Sequence, residues 1–178
     1  MRRALVLGSS GSGKSTFARQ LSQATGLPMI SIDALYWQPG WQPSEPAAFE
    51  QRMIDAAERP MWIMDGNFLN HGAGVLRRAQ ADTIFWFDLP RWVCMSGIVS
   101  RVIRSYGQVR PEMAADCPER IDLEFFRYVW TYRSRQRPKL LAFFEGLRPD
   151  QTFVRFASRG EANRYLAGRS PAAVTIGA

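Results

Sequence analysis

Gly8-Ser9-Ser10-Gly11-Ser12-Gly13-Lys14-Ser15 has the spacing G-x-x-x-x-G-K-[ST], in which backbone and side chains together cradle an anion. Glycines let the chain curl so that successive N–H groups point into one cavity, where a Cβ would collide with the anion's oxygens. A helix starting near Lys14 adds its N-terminal donors and the positive end of its dipole. In such a loop the lysine reaches the β- and γ-phosphates and the Ser15 hydroxyl can ligate Mg²⁺. With glycine at about 7% of ordinary sequence, a chance match is on the order of one per cent or less. The pattern predicts a nucleoside triphosphate site, with ATP and Mg²⁺ as cofactors. Gly8, Ser9, Gly11, Ser12, Gly13, Lys14, Ser15 and Thr16 would surround the phosphates.

Three aspartates follow short apolar runs: Asp33 after Met29–Ile32, Asp65 after Met61–Met64, and Asp88 after Thr83–Phe87. A carboxylate at the Asp65 position would face Mg²⁺ beside Ser15, usually through water, because this ion dehydrates reluctantly. Asp33 could accept a proton from an acceptor hydroxyl or stand in the outer sphere of the metal. Asp88 precedes Leu89-Pro90 and reads as a structural turn. Arginines crowd the second half of the chain, and phosphoryl transfer spreads charge that mobile arginines can stabilise. Arg110, Arg135 and Arg137 are the candidates for that role beside Lys14, Asp33 and Asp65, and Arg101 is a candidate for contacting the nucleotide base.

Stepping these groups into place requires strands and helices in alternation. Residues 3–7 read as a strand before the glycine loop, and Lys14–Thr25 as a helix with Phe17, Ala18 and Leu21 on one face and Gly26 as its stop. Pro39, Pro43 and Pro46 make 34–46 a loop. A helix at 46–58, the strand at 61–64, a short helical stretch within 68–80 and the strand at 83–87 come next. Trp92, Met95, Val99, Val102 and Tyr106 recur at helical spacing. A Gly/Pro-containing segment at 107–118 interrupts, and Asp116 with Glu119 resembles a cap for the helix carrying Ile121, Phe125, Val129 and Trp130. Pro138 should kink or divide that helix. A strand at 152–156 precedes a last helix opened by Ser158-Arg159-Gly160-Glu161, and 169–178 reads as a flexible tail. Such alternation implies a three-layer α/β domain over residues 1–168, its parallel sheet covered on both faces. Ligands in such sheets sit at the carboxyl ends of the strands, where the three aspartates and the glycine loop converge.

Composition narrows the class. The 178 residues are 46% hydrophobic and 22% charged, enough for a packed core and against wholesale disorder. No apolar run approaches the roughly 18–20 residues of a membrane span, and no apolar leader follows Met1, so a cytoplasmic, membrane-free protein is expected. Cys94 and Cys117 are too few for a disulfide framework or a zinc site. Net charge is +7, and all but Lys14 and Lys139 of its 23 basic residues are arginine. That surplus favours phosphate-bearing partners. It leaves nucleic acid as a second partner class, with no recognition motif behind it.

The chain resembles the DNA topology modulation (FlaR-related) protein family, small P-loop proteins similar in build to adenylate, shikimate and gluconate kinases. The likeness spans about residues 1–167. It rests on Gly8–Thr16, on 32–41, on Trp62-Ile63-Met64-Asp65-Gly66-Asn67-Phe68, and on Asp88-Leu89-Pro90-Arg91-Trp92. Further along it rests on 110–113, 117–119, 121–125 and 135–139. The resemblance implies a nucleoside-monophosphate-kinase-like core with sheet order 2-3-1-4-5, an acceptor region at 34–60 and a helical lid at 107–137. Asp65-Gly66 is similar to the Asp-Gly of adenylate kinases. Those enzymes continue Phe-Pro-Arg to grip the acceptor's phosphate, whereas this chain continues Asn67-Phe68-Leu69. A phosphate on the acceptor is poorly served, since a buried dianion without paired arginine is costly. Tyr36, Trp37 and Trp41 suit a flat or apolar acceptor, such as a nucleoside base. The expected activity is Mg²⁺-dependent phosphoryl transfer from ATP to an unidentified small-molecule hydroxyl. The competing reading is a nucleotide-switched regulator or ATPase associated with DNA topology.

Overall fold

The computed structural model describes residues 1–168; the tail expected at 169–178 lies outside them. Five strands make one parallel sheet: β1 (Arg3–Gly8), β2 (Met29–Ser31), β5 (Trp62–Asp65), β6 (Thr83–Phe87) and β7 (Thr152–Phe156). A two-stranded hairpin of β3 (Trp37–Gln38) and β4 (Gln42–Pro43) stands apart, so the main sheet runs β2-β5-β1-β6-β7. Counted within that sheet, the order is the expected 2-3-1-4-5. The helices are α1 (Lys14–Thr25), α2 (Ile32–Tyr36), α3 (Pro46–Glu58), α4 (Gly74–Gln80), α5 (Arg91–Ser105), α6 (Leu123–Arg135), α7 (Arg137–Glu145) and α8 (Arg159–Ala167).

Alternation along β1 shows why both faces must be covered. Ala4 and Val6 face α1, α5 and α8, where Phe17 meets Phe85, Phe87 and Phe156 edge-on at 5.0–5.3 Å. Leu5 and Leu7 face the other layer, made by Phe49 and Met53 of α3 and Leu140 and Phe143 of α7. All four β1 side chains are fully buried, each such burial worth about 1.5–3 kcal/mol for a large aliphatic group.

Local signals fix most boundaries. Gly26 caps α1 at φ +72° and its N–H returns to Ser22 O. Ser158 accepts from Glu161 N, and Glu161 answers by accepting from Ala157 N. Pro138 sits in the first turn of α7, and the helical run divides at Gln136. Two expectations change. The segment 34–46 is not a plain loop: Ser31 caps α2 through Ala34 N, and the hairpin turns at Gly40 (φ +74°). Its prolines fall outside α2 and so do not oppose it. Asp116 and Glu119 do not cap α6. Asp122 does, accepting from Phe125 N at 3.0 Å, while Asp116 adopts φ +54° and Glu119 is taken by two arginines.

Candidate active site

Parallel pairing puts Gly8 beside Phe87, and Ser31 and Val6 beside Asp65, at one edge of the sheet. The glycine loop leaves β1 there with Gly8, Gly11 and Gly13 all at positive φ. Gly11 also answers a packing demand. A Cβ on it would lie 2.1 Å from Cys94 O, and one on Gly97 would lie 2.1 Å from Gly11 O, so α5 presses directly on the loop. Arg159 holds the loop from the other side: its guanidinium donates to Ser12 O, Gly11 O and Val93 O at 2.6–3.2 Å. Asn67 clasps the first glycine, accepting from Gly8 N and donating to Gly8 O, both at 3.0 Å. The residue that departs from the adenylate kinase pattern thus braces the loop.

A cavity of about 530 Å³ opens in front of this loop, within the usual range for small-molecule sites. Gly11, Gly13, Lys14 and Ser15 form one wall. Lys14 Nζ lies 3.6 Å from Asp65 Oδ1, both side chains nearly buried. Asp33, in the first turn of α2, faces them. Withdrawal from water pushes its carboxyl above the ordinary 3.8; Lys14 pulls it down, Asp65 pushes it up, and Arg110 and Arg101 pull it down again. Opposite stand Arg101 and Arg110, both bound to Glu119: Arg101 Nε meets Oε1 at 3.0 Å and Arg110 Nε meets Oε2 at 2.8 Å. Glu119 is 5% exposed, a carboxylate shared between two cations. Trp37, Trp41, Phe125 and Tyr128 supply aromatic walls. Burial and the Asp33 charge push the Tyr128 phenol up to about 12.

The roof joins two distant stretches of chain. Gly40 N donates to Asp116 O at 3.0 Å, Trp41 Nε1 to Pro118 O at 3.1 Å, and Cys117 Sγ to Gln38 O at 3.4 Å. Arg120 lies over the Trp41 ring at 5.4 Å.

The candidates separate into three groups. Gly11, Gly13, Lys14, Ser15, Asp33, Arg101 and Arg110 line the cavity; Gly8, Ser9, Ser12 and Asp65 lie behind its wall, with Asp65 against Lys14. Thr16 is exposed and outside the lining. Arg135 and Arg137 are corrected: Arg135 is exposed at the end of α6, outside the lining. Arg137 makes a two-pronged pair with Asp88 at 2.9 and 3.0 Å, which Arg155 completes. Asp88 is thus a structural anchor, and its three-way pairing holds its carboxyl below the usual range despite partial burial. Arg101 is also repositioned, facing Asp33 and Glu119. Glu119, Tyr128 and Lys139 line the cavity without a role that the sequence motifs assign. The 3- and 4-residue spacing of Phe125, Tyr128 and Tyr132 was the available signal for Tyr128.

The wall fits a polyphosphate with a magnesium ion. Gly11, Gly13, Lys14 and Ser15 face the cavity together, and a glycine-rich backbone supplies inward donors. Ser15 and Asp65 offer the hard oxygen ligands such an ion takes. Among the described residues no group of three or more His, Cys, Asp or Glu gathers to hold a metal, so phosphate oxygens would complete its shell.

No protein-family model and no curated protein matches the chain, and the likeness to the DNA topology modulation proteins rests on motifs alone. Solved structures do match in fold. A shikimate kinase from Bacteroides thetaiotaomicron superposes at TM-score 0.55 with 13% identity, over 94% of this chain and 95% of that one. A gluconokinase from Sinorhizobium meliloti 1021 gives 0.52 and 18%, over 94% and 90%. A shikimate kinase from Acinetobacter baumannii, in complex with shikimate, gives 0.53 and 12%, over 94% and 90%. With the glycine loop, the parallel sheet and its order, these likenesses give the chain the fold of the small P-loop kinases.

Proposed function

We propose that the protein is a kinase that transfers the γ-phosphoryl group of Mg²⁺-bound ATP to a hydroxyl of a small, ring-bearing molecule without a phosphate of its own. The observation that carries this reading is the single cavity in which Lys14 on the glycine loop and the Asp33 carboxyl face each other under an aromatic roof. Ser15 and Asp65 would hold magnesium, which would offset the charge of the phosphates. Loop amides and Lys14 hold the β- and γ-phosphates, with Ser15 and Asp65 on the metal side. Asp33 takes the acceptor's proton as its oxygen bonds to phosphorus and ADP departs with the bridging oxygen. Lys14 and the loop amides also meet the charge on the equatorial oxygens, and the segment at 107–137 serves as the lid.

The acceptor's character follows from how the cations are employed. Both guanidiniums facing Asp33 are paired with Glu119. Arg52, in the acceptor region, donates to Leu35 O and Ser44 Oγ. Trp37, Trp41 and Phe125 offer ring faces instead. Release of ADP, screened against nucleosides, sugars and cyclic alcohols, should rise many-fold with one compound, and Lys14→Ala should abolish it. If turnover responds instead to duplex DNA, with binding that falls steeply with salt, the protein is a DNA-associated ATPase and this reading is wrong.

A further inference from the structure

Six of the exposed large apolar side chains gather on α5 and α6. On α5, Trp92, Val99, Ile103 and the capping Tyr106 are 67%, 42%, 76% and 63% exposed. At 100° per residue these four lie within an arc of about 60° and extend for about 21 Å. Arg91, Arg101 and Arg104, the charged residues of α5, fall outside that arc, and Arg101 points the opposite way, to Glu119. On α6, which packs against α5, Leu123 and Trp130 widen the strip; Trp92 meets Trp130 edge-on at 4.5 Å. Together the six side chains expose roughly 700 Å², close to the ~800 Å² each partner gives a standard-size interface.

The strip is symmetric along the chain. Trp92 and Tyr106 each stand seven residues from Val99; Met95 and Ile103 each stand four. A helix with that spacing matches its own antiparallel copy about a two-fold axis at Val99, pairing Trp92 with Tyr106, Met95 with Ile103, and Val99 with itself. Bulky groups then flank a small centre, and no like charges face each other. Two-fold interfaces demand self-complementarity of this kind. We infer that α5, flanked by α6, is a homodimerisation surface whose occupant is a second copy of this chain in antiparallel register centred on Val99. The match of α5 to its own reversed copy about Val99 argues for a second copy of this chain, with Arg91, over the Trp130 ring at 5.3 Å, bordering the strip.

Sedimentation velocity on the full chain from about 1 to 100 μM should show a concentration-dependent species of twice the monomer mass. Val99→Glu places two carboxylates together at the axis and should weaken association at least about 100-fold, with an unchanged circular dichroism spectrum. Val75→Glu, at a 69% exposed site on α4, should leave association as it is. Register is tested without a disruptive charge. A short bis-maleimide, adding one cysteine thiol at each end, should join Val99→Cys to itself but not Trp92→Cys, whose two copies would stand about 21 Å apart along the axis. The natural Cys94 and Cys117 are buried. A chain that stays monomeric throughout, a dimer indifferent to Val99→Glu, equal cross-linking at both positions, or a monomer that instead partitions onto anionic vesicles would each overturn the inference.

Discussion

The two sides of the cavity are built in opposite ways. The loop side is sealed by backbone contact: Gly11 and Gly97 admit α5 to distances no Cβ would tolerate, Asn67 grips both polar atoms of Gly8, and Arg159 ties two loop carbonyls to Val93. The roof is a short hairpin and the 107–122 segment, joined by three hydrogen bonds and a cation over an indole. Phosphates present one shape to any protein that holds them, so a rigid cradle loses nothing by being inflexible. A roof that must admit and release an acceptor draws on the less tightly held part of a fold.

Variants can break this contrast or sharpen it. Asp33→Asn, where the two sides meet, should lower transfer by about 10²–10⁴-fold while ATP affinity measured by calorimetry stays the same. In the unaltered protein the rate should fall as pH drops through a value above 3.8, because a proton-accepting Asp33 would work only when ionised, and the variant should lack that limb. Stability follows the opposite sign: a carboxyl whose pKa is raised on folding stabilises least above that pKa. Asp33→Asn should therefore raise or preserve the melting temperature at neutral pH. Gly11→Ala attacks the rigid side and should destabilise by about 3 kcal/mol, from positive φ and collision with Cys94 O together; denaturant unfolding would show it. Asn67→Ala should cost about 1–2 kcal/mol and weaken ATP binding more than acceptor binding. Smallest is Trp41→Phe, which removes the bond to Pro118 O and should raise the acceptor's KM roughly 5-fold, about 1 kcal/mol, with ATP binding unchanged. Equal sensitivity of both substrates to Asn67→Ala and Trp41→Phe would erase the distinction.

What could be read from the chain alone follows the same division. The loop, the Gly26 stop and the Ser158 cap are set by neighbours in sequence, the parallel sheet by strand alternation, and its order follows the family resemblance; each stands as expected. Partners chosen across long separations were not legible. Glu119 reads as a capping residue three from Asp116, yet the fold gives it to Arg101 and Arg110, and Asp122 caps the helix instead. Arg137 looks available for phosphate until α7 brings it to Asp88, 49 residues earlier. Arg135 and Arg137 share a short sequence with cavity-lining Gln136 and Lys139, but the helix break at Gln136 turns the two arginines away. Prolines in 34–46 forbid a long helix without forbidding the short helix and hairpin that occupy it.

The roof's fastening has an evolutionary corollary. Its acceptors are the main-chain oxygens of Asp116, Pro118 and Gln38, and one of its donors is the Gly40 amide. Carbonyls survive whatever side chain each residue bears. Only the Gly40–Asp116 bond is main chain at both ends; Trp41 and Cys117 donate the other two. A change at Trp41 therefore reshapes the pocket and loosens its cover together, whereas Trp37 can change with the seam still closed.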